Sequence, residues 1–330
     1  MTRAFRLAGI LAGIMTAAAA LLFSAAPAMA QTWPTKPVRF VIPYAPGGIA
    51  DIAARIIGAK LTESWGQQIV VENKPGGNGT IGVATVTKAA PDGYALLIAT
   101  VGDFTLNPNL AKDLPYDIVR DLVPITALTD TPCVLATHVA SPYKTVADVL
   151  ADAKAKPGKI PYATPGNGSI NQLIMEWTGL GTGTKYQHIP YKGGAPAGAA
   201  VAAGDVPLGM LAVSSALPHL KSGRVRVLAI TTAKRSPFNP EWPTLQESGV
   251  PDVVGSNWTA LMAPRGTPQP ILDKVHADVL AVLAMADVRE RLAAGSASPI
   301  PTTPAELAAI FKRDTAAFKD IVEKADIKAE

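Results

Sequence analysis

Two stretches place small, backbone-exposing residues where an anion can reach them: Pro43-Tyr-Ala-Pro-Gly-Gly48 and Pro165-Gly-Asn-Gly-Ser169. Each lies between a short apolar run and a segment with helical spacing. The first amides of a helix lack partners inside it and, together with the helix dipole, attract an anion such as a carboxylate. Gly47 and Gly48 carry no Cβ, so a ligand can touch the backbone there. Ser169 can cap its helix by accepting from the amide of Gln172, and with Gly168 it can equally offer donors to a ligand. An ordinary strand-to-helix connection is the other use of such turns, and these residues alone leave both open.

Other chemistry is poorly represented. Gly77-Asn-Gly-Thr-Ile-Gly82 matches the G-x-G-x-x-G of dinucleotide sites, but it follows the second strand of its region, and no acidic residue stands obviously where a ribose would need one. There is no G-x-S-x-G, H-E-x-x-H or C-x-x-C. His138, His188, His219 and His276 sit far apart without carboxylates at ligand spacing, so no metal is expected. Ser169 with His188 would make a secreted hydrolase only if the fold joined them. Cys133, in the apolar run Cys133-Val-Leu-Ala136, reads as a buried structural thiol.

The elements that must position the two turns follow from periodicity. Val38, Phe40 and Ile42 alternate as in a strand, and past Gly48 the residues Ile49, Ile52, Ala53 and Ile56 share one side of a helix. Gln68–Glu72 and Tyr94–Val101 read as further strands, with a helix over 80–89 between them. Alternating strands and helices imply a mostly parallel sheet, whose ligands sit beyond the carboxyl ends of the strands. The loops 43–48, 73–79 and 102–104 therefore belong on one edge, with Phe104 facing a pocket or capping the core. A second α/β region follows: helix 145–157, strand 160–164, the Pro165–Ser169 turn, a helix from Ile170, and strands 186–190 and 224–231. Extended runs at 122–138 and 258–264 read as crossings between the two. Helices are expected at 270–285, 286–294 and 304–325, the last packing on the first region through Leu307, Phe311 and Val322.

The first thirty residues read as an address. Arg3 and Arg6 precede the apolar run Leu7–Phe23, and Ala28-Met-Ala30 fits a signal peptidase site, so the mature chain should begin at about Gln31 in the periplasm. A membrane anchor is the rival reading of that run. The net charge of +4 falls to +2 once Arg3 and Arg6 are removed, too balanced to imply nucleic acid. What remains suffices for two domains: 31–130 with 253–330, and 131–252.

The chain resembles a known family in motifs spread along its whole mature length. These are Trp33-Pro-Thr-Lys-Pro-Val-Arg39, Pro46-Gly-Gly-x-x-Asp51-x-x-Ala-Arg55, Gly66-Gln67 with Val70-Val-Glu-Asn73, Pro75-Gly-Gly-Asn-Gly79 with Ile81-Gly82, and Ala90-Pro-Asp-Gly-Tyr94. Leu114-Pro-Tyr-Asp117, Gly166-Asn-Gly-Ser169, Ile189-Pro-Tyr-Lys-Gly193, Ser222-Gly-Arg224, Pro243-Thr-Leu with Glu247-Ser-Gly249, and Ala263-Pro-x-Gly-Thr-Pro268 continue the match. They are similar to those of the tripartite tricarboxylate transporter substrate-binding proteins, the Bug or TctC-like family.

That resemblance implies an α/β fold of the type II periplasmic-binding-protein kind, two doubly wound domains joined by extended crossover strands. It implies a non-enzymatic monomer without cofactor that closes on a small organic acid and delivers it to the membrane permease subunits of a tripartite tricarboxylate transporter. A sensor feeding a membrane kinase is the alternative. Carried over residue by residue, the carboxylate site comprises Tyr44, Ala45, Gly47 and Gly48 from the first domain. Thr164, Gly168 and Ser169 join from the second, with Asp103 and Phe104 as loop residues that vary with ligand. The chain departs from the family at Gln172, where relatives often carry histidine, and at Tyr44, often phenylalanine. Asp51, one turn into its helix, is expected to support the helix start or meet a polar part of the ligand.

Overall fold

The computed structural model describes residues 33–110, 113–236, 238–325 and 327; the expected signal peptide and its cleavage point lie outside them. Lys36–Glu330 groups as one unit. Its first strand, β1 (Val38–Ile42), pairs in parallel with β2 (Ile69–Asn73) and β3 (Ala95–Thr100). Every residue of β3 is buried, as befits a strand covered on both faces. Helix α1 (Ile49–Trp65) follows β1 across the Pro43–Gly48 turn and ends at Gly66, which takes the left-handed conformation (φ 63°) and returns its amide to the Thr62 carbonyl. After β2 come a 3-10 turn at Gly77–Gly79 and helix α2 (Thr80–Thr87). The expected loop after β3 is instead a π-type turn, Gly102–Leu106, continued by the short helix α3 (Asn107–Leu110). Helix α4 (Ile118–Asp121), capped by Asp117, then leads into the longest strand, β4 (Leu122–His138).

Strand β4 links two halves of the sheet. Over Leu122–Pro132 it runs antiparallel to β9 (Ser256–Pro264), as the paired extended runs suggest, and β9 in turn pairs with β3. From Cys133 to His138 the same strand pairs instead with β7 (Leu208–Ala212) and β8 (Val225–Ile230). The second half is completed by the parallel strands β5 (Pro161–Thr164) and β6 (Gln187–Pro190) beside β7. The short β10 (Ser298–Pro299) pairs with β4 at Thr129 and Asp130. Strand orders are thus β2-β1-β3-β9-β4 and β6-β5-β7-β4-β8, one arrangement used twice. This is the doubly wound, periplasmic-binding-protein-like fold.

In the second half, α5 (Val146–Ala155) is closed by a reciprocal Thr145–Asp148 capping box. Helices α6 (Ile170–Thr182), α7 (Gly194–Ala203) and α8 (Val213–Lys221) each begin at the carboxyl end of a strand or its loop. The chain returns through α9 (Gln269–Ala284), α10 (Ala286–Ala293) and α11 (Pro304–Lys324). Phe311 of α11 packs against Phe104 and Trp258, ring centroids 5.0 and 5.7 Å apart, and Asp314 accepts from the Trp258 indole at 3.1 Å. Helix α11 therefore seals the first half from below the π turn. Among the described residues no helix is long and apolar enough to cross a membrane.

Candidate functional site

Parallel strands leave their carboxyl ends on one edge, so the turns that follow β1, β2 and β3 gather there. Asn73 donates to the Tyr44 carbonyl (3.0 Å), and the Tyr44 hydroxyl donates to Asp103 Oδ1 (3.0 Å). Asp51 supports the start of α1: its carboxylate accepts from the Gly47 amide at 2.9 Å and is held by Arg55, Nη2 to Oδ1 at 2.9 Å. Burial works to raise this carboxyl, yet the Arg55 and Gly47 hydrogen bonds outweigh it and keep it below the usual carboxylate range. Its charge is thereby neutralised within the turn.

The second half supplies a facing set. Ser169 caps α6, accepting from Gln172 N at 3.3 Å and donating to the Gly166 carbonyl at 2.7 Å. The two sets touch. The Ala45 amide donates to the Lys192 carbonyl (3.0 Å), and a Cβ on Gly47, which needs its left-handed φ of 85°, would stand 3.2 Å from Ala195 Cβ. A Cβ on Gly102 would lie 2.6 Å from the Gly168 carbonyl oxygen.

Behind this contact lies a chamber of about 20 Å³, lined by Tyr44, Ala45, Gly48–Asp51, Thr100, Pro165, Ser169, Gly194, Ala212, Ser215 and Asn257. The starts of α1, α6, α7 and α8 all border it. Four helix N-termini border this one small space and their dipoles favour an anion there, while the Asp51 carboxylate on the same wall is held by Arg55. No Lys, Arg or His lines it. Two polar groups on its wall, Ser215 Oγ and Asn257 Oδ1, are buried without a protein partner. Ser215 faces the α7 start because residue 194 is glycine; a Cβ there would collide with its Oγ. A larger cleft of about 360 Å³ opens outside Tyr44 and Pro165, bordered by Asn78, Asn107, Asn167, Tyr191 and Lys192.

The expected site residues divide. Tyr44, Ala45, Gly48 and Ser169 line the chamber. Gly47 stands at the contact between halves, its amide already given to Asp51. Gly168 (φ 62°) gives its amide to Gln172 Oε1 at 2.8 Å and packs on Asn107 and Asn78, so it joins the loops and not the chamber wall. Thr164 is buried and fastened to His188 Nε2 at 2.6 Å. Asp103 is wholly buried; both Thr100 groups donate to its Oδ2, and burial pushes its pKa up to about 6. Phe104 is core: the ring stacks on Trp258, packs tilted against Phe311 and is 2% exposed, so it caps the core and does not face a pocket.

The rival chemistries find no support in the geometry. Ser169 and His188 spend their side chains on different partners, Gly166 and Thr164, and burial lowers the His188 pKa to about 4. Cys133 is fully buried, its thiol pushed up by that burial. Two glycines of the dinucleotide-like pattern serve packing: a Cβ on Gly82 would lie 2.6 Å from Pro43 Cα, and one on Gly79 would meet the Asp103 carboxylate. Among the described residues no cluster of side chains is arranged to hold a metal ion.

Sequence reasoning missed Thr100, Gly194, Ser215 and Asn257. Ser215 had a signal, since the apolar run Leu208–Val213 is followed at once by Ser214 and Ser215, although without the proline and glycine of the first turn. The run lacks a period, and Pro218, a residue that reads as a helix breaker, lies inside the helix, which hides it. Asn257 looks like any polar residue at the head of a strand.

Comparison with known proteins places this geometry. Residues 53–327 match the profile of the Tripartite tricarboxylate transporter family receptor. Protein BugT of Bordetella pertussis is 36% identical over 293 residues, covering 88% of this chain and 89% of that protein. Among solved structures, R. palustris Rpa4515 with adipate superposes with a TM-score of 0.87 at 32% identity, covering 90% of this chain and 99% of that one. MatC (Rpa3494) from Rhodopseudomonas palustris with bound malate gives 0.83 at 31% identity, covering 88% and 100%. The chain belongs to the tripartite tricarboxylate transporter receptor family, the solute-binding proteins among which the Bug proteins stand.

Proposed function

We propose that this protein, exported to the periplasm and cleaved near Gln31, captures a small carboxylic acid in the Gly48–Ser169 chamber and delivers it unmodified to the membrane permease of a tripartite tricarboxylate transporter. The observation that carries this reading is the chamber itself: four helix starts and the unpartnered Ser215 hydroxyl surround a space with no basic side chain. Such a wall suits a carboxylate held by neutral donors. The adipate and malate bound by the two R. palustris relatives are of the same chemical class.

Capture uses two lobes, 31–130 with 253–330, and 131–252. Strand β4 changes partners at Pro132–Cys133, and Gly255 N meets the Thr231 carbonyl on the way back, so two thin connections carry the hinge. The mature protein acts as a monomer. A thermal-shift screen of a few hundred small acids tests capture. An acid at a hundred times its Kd should add about 2.7 kcal/mol of stability, raising Tm by about 4 °C for a chain of this length. No shift with any carboxylate overturns the reading, and so does a converted ligand recovered by mass spectrometry after long incubation.

A further inference from the structure

We propose that Asp103 takes up a proton when a carboxylate enters the chamber, so that capture tightens as the medium becomes more acidic. The inference rests on the capture reading above and adds to it a coupling between ligand and proton. Asp103 is wholly buried, one side chain behind the chamber wall. Its Oδ1 accepts from the Tyr44 hydroxyl at 3.0 Å, and its Oδ2 accepts from the Thr100 amide and hydroxyl at 2.8 and 2.9 Å. Tyr44 and Thr100 are themselves wall residues. The other carboxylate at this wall, Asp51, has Arg55 against it at 2.9 Å, whereas among the described residues no cation stands against Asp103.

The elements packed around Asp103 bring it no countercharge. The β1–α1 turn presents Tyr44 and the loop before α4 presents Tyr116; burial and the Asp103 charge push both phenols up, so both stay neutral. The Gly77–Gly79 turn offers Gly79, where a Cβ would meet the carboxylate, and Lys74 ahead of it reaches toward Glu72 at 4.0 Å. Helix α11 sets Phe311 against the π turn and ties Asp314 to Trp258 and Arg313. From the second half, Gly102 meets only backbone, Gly168 to Ile170. Burial raises the Asp103 pKa to about 6 against the hydrogen bonds that lower it. A second negative charge across one layer of side chains disfavours the ionised form further, by at least about one pH unit. The ligand keeps its charge, and solvent supplies the proton to Asp103. A group whose pKa rises on binding takes up protons between its free and bound values, and affinity falls as pH rises through them.

The test is calorimetry of malate, succinate, glutarate and adipate on the mature protein, in paired buffers of unlike ionisation heat, from about pH 6.5 to about pH 8, above the acids' own carboxyl range. The wild type should take up about half a proton per ligand near pH 6.5, fading toward pH 8, and bind about threefold tighter at the lower pH. Asp103→Asn should bind without proton uptake and equally at both pH values. Tyr44→Phe removes the donor to Oδ1 and so raises the carboxyl further; its uptake should move to higher pH, a readout that holds if Asp103→Asn does not fold. Binding by the wild type without proton uptake overturns the inference and leaves capture intact. So does uptake that persists in Asp103→Asn or stays in place in Tyr44→Phe. Failure of all four acids to bind overturns both readings.

Discussion

Gly48 tests the site at the scale of one residue. Its backbone (φ −82°, ψ 171°) is open to any side chain, and a Cβ would touch only Gly194 N at 3.8 Å and the Ala45 carbonyl at 3.9 Å. The new methyl or isopropyl group would occupy the chamber. Gly48→Val should therefore cost one or two charge-assisted hydrogen bonds, about 1.5–3 kcal/mol each, or roughly a hundredfold in affinity. Apo stability should move by less than about 1 kcal/mol, since only a neutral N-cap is lost. Calorimetry beside a melt without ligand checks both, and normal binding by Gly48→Val would move the site elsewhere. Turn grammar made Gly48 and Ser169 legible because an amide-lined turn has a compositional signature. Phe104 shows where that grammar stops, for an aromatic beside a glycine turn can face a cleft or a core. Only Trp258 and Phe311, distant in sequence, decide that it faces the core.

At the scale of elements, two glycines separate folding from closing. Gly102 starts the π turn, and a Cβ there would press on the Gly168 backbone carbonyl of the opposite half at 2.6 Å. Backbone cannot turn aside as a side chain can, so Gly102→Ala should keep the halves apart, lower affinity at least tenfold and leave the apo melt nearly unchanged. Gly82 meets Pro43 Cα within its own half, also at 2.6 Å. Gly82→Ala should instead destabilise the apo protein by about 1–3 kcal/mol, the usual cost of overpacking. Opposite results from the two melts would mean that the contacts are wrongly assigned to closing and folding. Strand–helix alternation made most elements legible: α1, α9 and α11 begin within a residue of expectation. The π turn and the β7–α8 unit were not. The first is a compact turn whose residues, Gly-Asp-Phe-Thr-Leu, have no helical period, and the second is an apolar run with a proline in its helix.

For the whole molecule, two buried groups with opposite shifts act on acid stability over one window, beside Asp130 and Glu176, whose carboxyls burial also raises, and Asp51, which its hydrogen bonds lower. Asp103, raised to about 6, binds its proton more tightly folded than unfolded, so its contribution grows as pH falls from about 6 to 4. His188, lowered to about 4, behaves oppositely, and its contribution is lost as pH falls from about 6.5 to 4. The two oppose over the same window. Asp103→Asn, whose amide can still pair with Tyr44 and Thr100, should unmask the histidine and make Tm fall more steeply on acidification; an unchanged slope would exclude Asp103 as a titrating group. The last expectation concerns motion. A chamber of about 20 Å³ is on the scale of a single water, and the Ala45–Lys192 hydrogen bond closes it. A carboxylic acid of several heavy atoms reaches the α1 and α6 starts only if the halves part, bending at Pro132–Cys133 and Thr231–Gly255. The free protein should therefore populate a more open form, and ligand should shift it toward the closed one. Small-angle scattering should show the radius of gyration falling when saturating ligand is added to the wild type, while Gly102→Ala, barred from closing, should keep the larger radius at the same ligand concentration. A radius that ligand leaves unchanged in the wild type would mean that the acid reaches its site without hinge motion.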